Sequence, residues 1–246
     1  MQRADRTIIE QLQKQIISLQ KREQGSGEEP LRIGLGEMEA AFPGKVFPTG
    51  AVHELISYSS EEASSTSAFV SVVLSKLMQP GGYCLWISNV PRRSIFPPAL
   101  KAFGIDPGRI LFVDAARPKE TLWSLEEALK CEALVAVVGE LTELSFSESR
   151  RLQLAVESSR VTGFIHRFRP KTENAVACVT RWKISPVASV PGPGMTGVGF
   201  PAWNVQLLKV RNGKPGSWQV QYTLKGLEYI LPEKVIVPLT EERQTG

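Results

Sequence analysis

Ala133-Leu-Val-Ala-Val-Val138 is six consecutive apolar residues, far too short to cross a membrane and continuous where a strand with one wet face would alternate. A run of this kind belongs to a strand buried on both faces, the position of a central strand in a parallel sheet covered by helices. On either side of it, short apolar runs at 52–56, 83–88, 110–114, 161–166 and 176–184 read as further strands. Between them, segments 66–78, 94–103, 119–130 and 147–159 carry three-and-four spacing, as in Leu122, Leu125, Leu129 and Leu152, Ala155, Val156. Strand and helix alternating in this way predict an α/β fold with a mainly parallel twisted sheet and helices on both faces.

The pattern changes after Ile184. Pro191-Gly-Pro-Gly-Met-Thr-Gly-Val-Gly199 fits neither a helix nor a central strand and reads as a loop. Strands at 203–210 and 217–224 flank Arg211-Asn-Gly-Lys-Pro-Gly216, whose Asn-Gly pair suits a hairpin turn, so the sheet is expected to end in an antiparallel β-hairpin extension. At the other end, Ile9, Leu12, Ile16 and Leu19 fall on one stripe of a helix over 1–24. That stripe can pack on its own core, on a neighbouring subunit or on a partner. The expected organisation is the helix at 1–24, a linker and lead-in at 25–44 containing Gly25-Ser-Gly-Glu-Glu-Pro30, a core at 45–230, and a mobile tail at 231–246.

Composition narrows the function classes. Of 246 residues 42% are hydrophobic and 22% charged, which places the chain among globular proteins rather than disordered or fibrous ones. No signal or transmembrane pattern is present, and the chain reads as cytoplasmic. Cys84, Cys131 and Cys178 form no CxxC and only His53 and His166 are present, so no metal or disulfide framework is expected and the cysteines read as small buried hydrophobes. The balance of 29 basic against 25 acidic residues does not by itself mark a nucleic-acid binder. The five tryptophans, Trp86, Trp123, Trp182, Trp203 and Trp218, read as core.

In an open parallel sheet a nucleotide would bind at the turn after the first strand. That turn is read as Glu54 to Ser67, before a helix at 68–78. A phosphate cradle needs glycines and a Lys, yet there is no Gly between Ala51 and Pro80 and no Lys before Lys76. Glu54, Glu61 and Glu62 put negative charge where a triphosphate needs positive charge. The hydroxyl residues there are expected to cap the helix. No GxSxG elbow or recognisable triad is present.

The stretch Phe47-Pro-Thr-Gly-Ala-Val-His-Glu-Leu55 resembles the entry to the phosphate loop of RecA-like proteins. Leu122-Trp-Ser-Leu-Glu-Glu-Ala-Leu129, Ala133 to Leu141, Ser149-Arg-Arg-Leu-Gln-Leu-Ala-Val-Glu157 and Trp203 to Trp218 are similar to the ImuA family of inducible mutagenesis proteins, a branch of the RecA-like superfamily. The resemblance covers residues 31–225. It implies that the nucleotide site is degenerate, with Ser57, Ser60, Ala63, Ser65 and Thr66 in place of the phosphate loop, Ala63 where the Lys would stand, and Gly139 where an Asp would hold a metal's water shell. Glu140 reads as a surface carboxylate.

Losing several parts together argues against hydrolysis. The resemblance therefore implies a non-enzymatic scaffold of SOS-induced mutagenic translesion synthesis, with no cofactor and no metal. Its implied partners are an ImuB-like protein, an error-prone DNA polymerase and RecA, with Ile9, Leu12, Ile16 and Leu19 as candidate contacts and a homo-oligomer as an option. Arg92, Arg93, Arg167, Arg169 and Lys171 are candidate contacts for nucleic-acid phosphates or an acidic partner. Any DNA binding is expected to be weak and non-specific. Two alternatives stay open: a cell-division inhibitor of the SulA type, and an ATP-binding RecA-like protein with an unusual phosphate loop.

Overall fold

The computed structural model of the chain describes residues 31–79, 81–89, 95–189, 191 and 196–230. The expected helix at 1–24, Arg92, Arg93 and the tail at 231–246 lie outside the described residues. Nine strands form one sheet: β1 (Val52–Ser57), β2 (Tyr83–Ser88), β3 (Ile110–Asp114), β4 (Leu134–Leu141), β5 (Thr162–Phe168), β6 (Thr180–Val187), β7 (Ala202–Val210), β8 (Gly216–Thr223) and β9 (Gly226–Tyr229). Their order is β3-β2-β4-β5-β1-β6-β7-β8-β9. Pairings from β3 through β6 are parallel, and β6 to β9 are antiparallel. Among the described residues three α-helices accompany them: α1 (Ser60–Leu77), α2 (Pro118–Leu129) and α3 (Phe146–Ser159). This mixed α/β architecture, mainly parallel with an antiparallel C-terminal extension, agrees with the sequence reading and is consistent with a RecA-like fold.

The apolar run in β4 is continuous because both of its faces are covered. Ala136 and Val138 join a core built from α1 with Leu55, Trp86, Phe164 and Trp182, whereas Val137 and Leu141 join a second core with Leu125 and Leu129 of α2 and Leu152 and Val156 of α3. Each fully buried Val, Leu or Phe among them contributes about 1.5–3 kcal/mol. Gly139 lies in the same strand for a packing reason. A Cβ there would sit 2.5 Å from Leu125 Cδ2, so only glycine lets α2 approach β4 this closely.

Several boundaries differ from the sequence reading. Helix α1 begins at Ser60, six residues before the expected Thr66. In place of the helix expected at 94–103 the described residues form a 3₁₀ helix over Pro97–Phe103, since two leading prolines and Gly104 leave too little chain for an α-helix. Strand β6 starts at Thr180 rather than Val176; the Ala177 amide donates to Ser149 Oγ of α3 at 2.9 Å instead of to a neighbouring strand. Strand β9 was not expected. It follows a tight turn in which Gly226 has φ +108°, and Tyr229 receives a hydrogen bond from the Met38 amide at 2.7 Å and donates to the Leu35 carbonyl.

Tyr229 thereby ties the lead-in to the sheet. Ile33, Leu35, Met38, Phe42 and Phe47 are all buried in the α1-side core. The hairpin turn docks on the same segment, with Asn212 at φ 57° and the Lys214 amide donating to the Ala41 carbonyl at 2.9 Å. Trp86, Trp182 and Trp203 are buried as expected, but Trp123 is 64% exposed on α2. Cys84 and Cys178 are buried; Cys131 is exposed.

Candidate functional site

The carboxyl ends of β1, β4, β5 and β6 are where a parallel sheet presents a ligand site. The chain between β1 and α1 there is two residues, Tyr58 and Ser59. The segment read as a long turn from Glu54 to Ser67 is the end of a strand followed at once by two turns of helix. Ser59 caps α1 by accepting from the Glu62 amide, and Glu62 accepts from the Tyr58 amide at 2.7 Å. Glu61 in the same first turn has its pKa lowered, chiefly by a hydrogen bond with Ser59. The helix start is thus occupied by the chain's own oxygens. Lys183 Nζ lies 3.6 Å from Glu62, and Arg169 Nε donates to the Tyr58 carbonyl at 2.9 Å.

The residues expected in place of a phosphate loop do not line one cavity. Ser57 closes β1, Ser60 is exposed on the first turn of α1, and Ala63, Ser65 and Thr66 are buried along that helix. Thr66 Oγ1 has no hydrogen-bond partner among the described residues. Gly139 faces Leu125 of α2, whereas Glu140 belongs to the opposite, α1 face. Glu140 is 1% exposed, which corrects its reading as a surface carboxylate.

A buried ionic cluster holds the same end of the sheet. Glu54 on β1 is flanked by Arg167 on β5 and Arg181 on β6, with Arg167 Nη1 at 2.8 Å and Arg181 Nε at 2.5 Å. Arg167 also donates to the Thr172 carbonyl at 3.0 Å, Arg181 to the Asn174 carbonyl at 2.5 Å, and Glu143 accepts from the Lys171 amide at 2.8 Å. Together they staple the loop after β5 across the strand ends. Arg167 is therefore corrected from a surface contact to a structural ion, because its side chain is 0% exposed. Arg169 and Lys171 stay exposed. The cluster escaped the sequence reading, although a Glu beside His53 inside the strand run 52–56 was its signal.

On the α1 face, Ser88, Glu140 and His166 are register neighbours across β2, β4 and β5. Ser57 Oγ is 2.6 Å from His166 Nε2. Burial lowers the His166 pKa to about 4, so the imidazole is neutral at physiological pH. A serine beside a neutral histidine has the distance of a nucleophile and base, but both side chains are 2% exposed or less, and no acyl group reaches them. His53 is likewise neutral. Its Nε2 donates to the Pro48 carbonyl at 2.9 Å, its Nδ1 accepts from Thr180 Oγ1 at 2.7 Å, and burial lowers its pKa to about 4. No group of three or more His, Cys, Asp or Glu among the described residues is placed to hold a metal ion.

Comparison with known proteins decides the family. No family model matches the chain. Protein ImuA from two strains of Caulobacter vibrioides is 32% identical over 203 residues, 78% of this chain and 82% of the relative. The chain belongs to the ImuA family. A cell division inhibitor SulA from Klebsiella aerogenes is 28% identical over 120 residues, 48% of this ImuA-family chain and 69% of that protein. No helix among the described residues is long and apolar enough to cross a membrane.

One surface of the ImuA-family chain stands out by its apolar exposure. Between α2 and α3 a groove is lined by Lys119, Leu122, Trp123, Glu126, Arg151 and Leu152. Trp123, which lines it, is 64% exposed and Phe146, at the start of α3, 58%; Arg151 pairs with Glu126 across it. Exposed aromatics beside a groove mark a surface suited to protein contact.

Proposed function

We propose that this ImuA-family chain serves damage-induced mutagenic DNA synthesis as a non-catalytic scaffold, joining an ImuB-like protein, an error-prone DNA polymerase and RecA. The observation that carries the non-catalytic part is the direct passage from β1 to α1 through Tyr58 and Ser59 alone. Backbone N–H groups converge on a phosphate only where a loop can curl around it. Here the cap bonds of Ser59 and Glu62 fill that position, and two carboxylates in the first turn repel a triphosphate. The family supplies the process, and the exposed aromatics of α2 and α3 supply a surface for a partner.

In this reading residues 1–24 form a contact segment ahead of the core, with Ile9, Leu12, Ile16 and Leu19 as its apolar stripe. Changing Leu12→Asp together with Ile16→Asp is expected to weaken partner binding or self-association; unchanged behaviour in both removes the segment from the scheme. Exposed Arg169 and Lys171 give at most weak, salt-sensitive DNA binding.

The deciding experiment is damage-induced mutation frequency in a deletion strain, with cell length scored in the same cultures. Lost mutagenesis with normal division supports the scaffold. The partial likeness to SulA favours one second reading, division control, and normal mutagenesis with altered filamentation would establish that instead. Magnesium-dependent ATP binding at micromolar concentration would overturn the inert nucleotide site.

A further inference from the structure

On α2, Lys119, Trp123 and Glu127 follow one another at intervals of four residues, and all three are exposed. Side chains at that spacing stand on one ridge of a helix, a turn apart. The ridge therefore presents a cation, an aromatic ring and a carboxylate in that order, with the two charges equally far from the ring. Lys119 forms no ion pair among the described residues, and Glu127 has Lys130 at 2.8 Å in a pair that is half exposed on both sides. Beside Trp123 runs the groove between α2 and α3, about 380 Å³ and lined also by Leu122 and Leu152. A ridge of one sign would call for a partner of the opposite sign. This one carries both signs, and read backwards it is its own complement.

We propose, resting on the reading of this face as a contact surface, that its occupant is the same face of a second copy, with α2 packed antiparallel on α2 about a two-fold axis at Trp123. Reversal about that residue sets Lys119 of each copy opposite Glu127 of the other and brings the two indoles together beside the grooves, where aromatic anchors hold most of an interface's energy. The neighbouring row is compatible with this register. Glu120 there approaches Glu126 of the other copy, but Glu120 lies 3.9 Å from Arg117, and Glu126 is held by Arg151 and by Lys130 at 3.2 Å, so each carboxylate arrives with its own counter-charge. The contact uses one patch on both copies, so it closes as a dimer and does not propagate. A single pair of helix faces buries less than about 1,200 Å², the size of transient contacts, so the dimer forms and dissociates with concentration.

Sedimentation tests this on the full-length chain carrying Cys131→Ser, which removes the exposed native thiol. A monomer passing to a dimer as concentration rises is expected. Lys119→Glu and Glu127→Lys are each expected to weaken that dimer roughly tenfold or more, because each sets like charges face to face twice. Both positions are exposed, so each reversed chain is expected to melt with the unreversed one. Equimolar mixing of the two reversed chains is expected to restore a dimer made of one of each, and the chain carrying both reversals to dimerise by itself, since opposite charges then face each other again. A mass that stays monomeric, a dimer indifferent to either reversal, or reversed chains that do not recover on mixing would each overturn the proposal. Damage-induced mutation frequency, which decides the scaffold reading, is a separate readout, so either can fail without the other.

Discussion

Glu54 Oε1 and Arg167 Nη1 are 2.8 Å apart with both side chains entirely out of contact with solvent, and Arg181 closes on the other carboxylate oxygen. One carboxylate therefore joins three parallel strands, β5, β1 and β6, at the end where the loop after β5 folds over. Removing the shared member of a buried pair strands the remaining charges in low dielectric and typically costs about 3–5 kcal/mol. Glu54→Ala is expected to fall in that range, lowering the melting temperature by roughly 10 °C or more. Glu127→Ala, which breaks the exposed pair with Lys130, is the control. A calorimetric loss below about 1 kcal/mol for Glu54→Ala would show that the cluster does not hold the strand ends.

His53 gives the chain a pH dependence of defined sign. Its ring packs against those of Phe47 and Phe164, with centroids 4.5 and 5.3 Å away, and burial lowers its pKa from 6.5 to about 4. Between those values the unfolded chain binds a proton that the folded chain refuses. Stability is thus fully present above pH 6.5 and is lost as pH falls toward 4, by on the order of 3 kcal/mol for this group. Urea midpoints are expected to drop from pH 7 to pH 5, while the His53 ring resonances stay at their neutral positions throughout. A ring that titrates near 6.5 in the folded protein would contradict this.

The strands were legible in the sequence because burial on two faces leaves runs such as Leu134 to Val138 that little else produces. The start of α1 was not. Its first half buries Ser65, Thr66, Ser67 and Ser71, so hydroxyls stand where apolar residues would make helical periodicity visible. Ser59, Glu61 and Glu62 then read as a polar loop although they are a cap and an acidic first turn. The ionic cluster was hidden for another reason: its members are 113 and 127 residues apart, and pairing at that separation follows from strand order rather than local pattern. Arg167 therefore read as one of several surface arginines. Tyr229 and Met38, 191 residues apart, hid β9 and the packed lead-in in the same way.

Gly139 separates a chemical from a packing explanation of one residue. If its role is to admit Leu125, Gly139→Ala overpacks the α2 interface and costs about 1–3 kcal/mol. Leu125→Ala alone also destabilises, by about 2–5 kcal/mol. The double variant is expected to lose less than the sum, since each change makes room for the other. Additive losses in chemical denaturation would mean that the two residues do not share the space the geometry assigns them. Gly139→Asp is expected to destabilise further without creating nucleotide affinity.

Trp123 tests whether exposed apolar surface on α2 is used. A tryptophan that is 64% exposed gives little of its transfer free energy to the fold, so Trp123→Glu is expected to change stability by no more than about 0.5 kcal/mol. Buried Trp182 is the contrast: its indole donates to Thr180 Oγ1 at 2.7 Å, and truncation to Ala there removes about 3–5 kcal/mol. If the α2–α3 groove receives a partner, Trp123→Glu loses damage-induced mutagenesis in cells while the purified variant melts with the unsubstituted protein. Because aromatic anchors carry a disproportionate share of interface energy, the loss should approach that of the deletion. Full mutagenesis with the Trp123→Glu chain at normal abundance would move the partner surface elsewhere on the molecule.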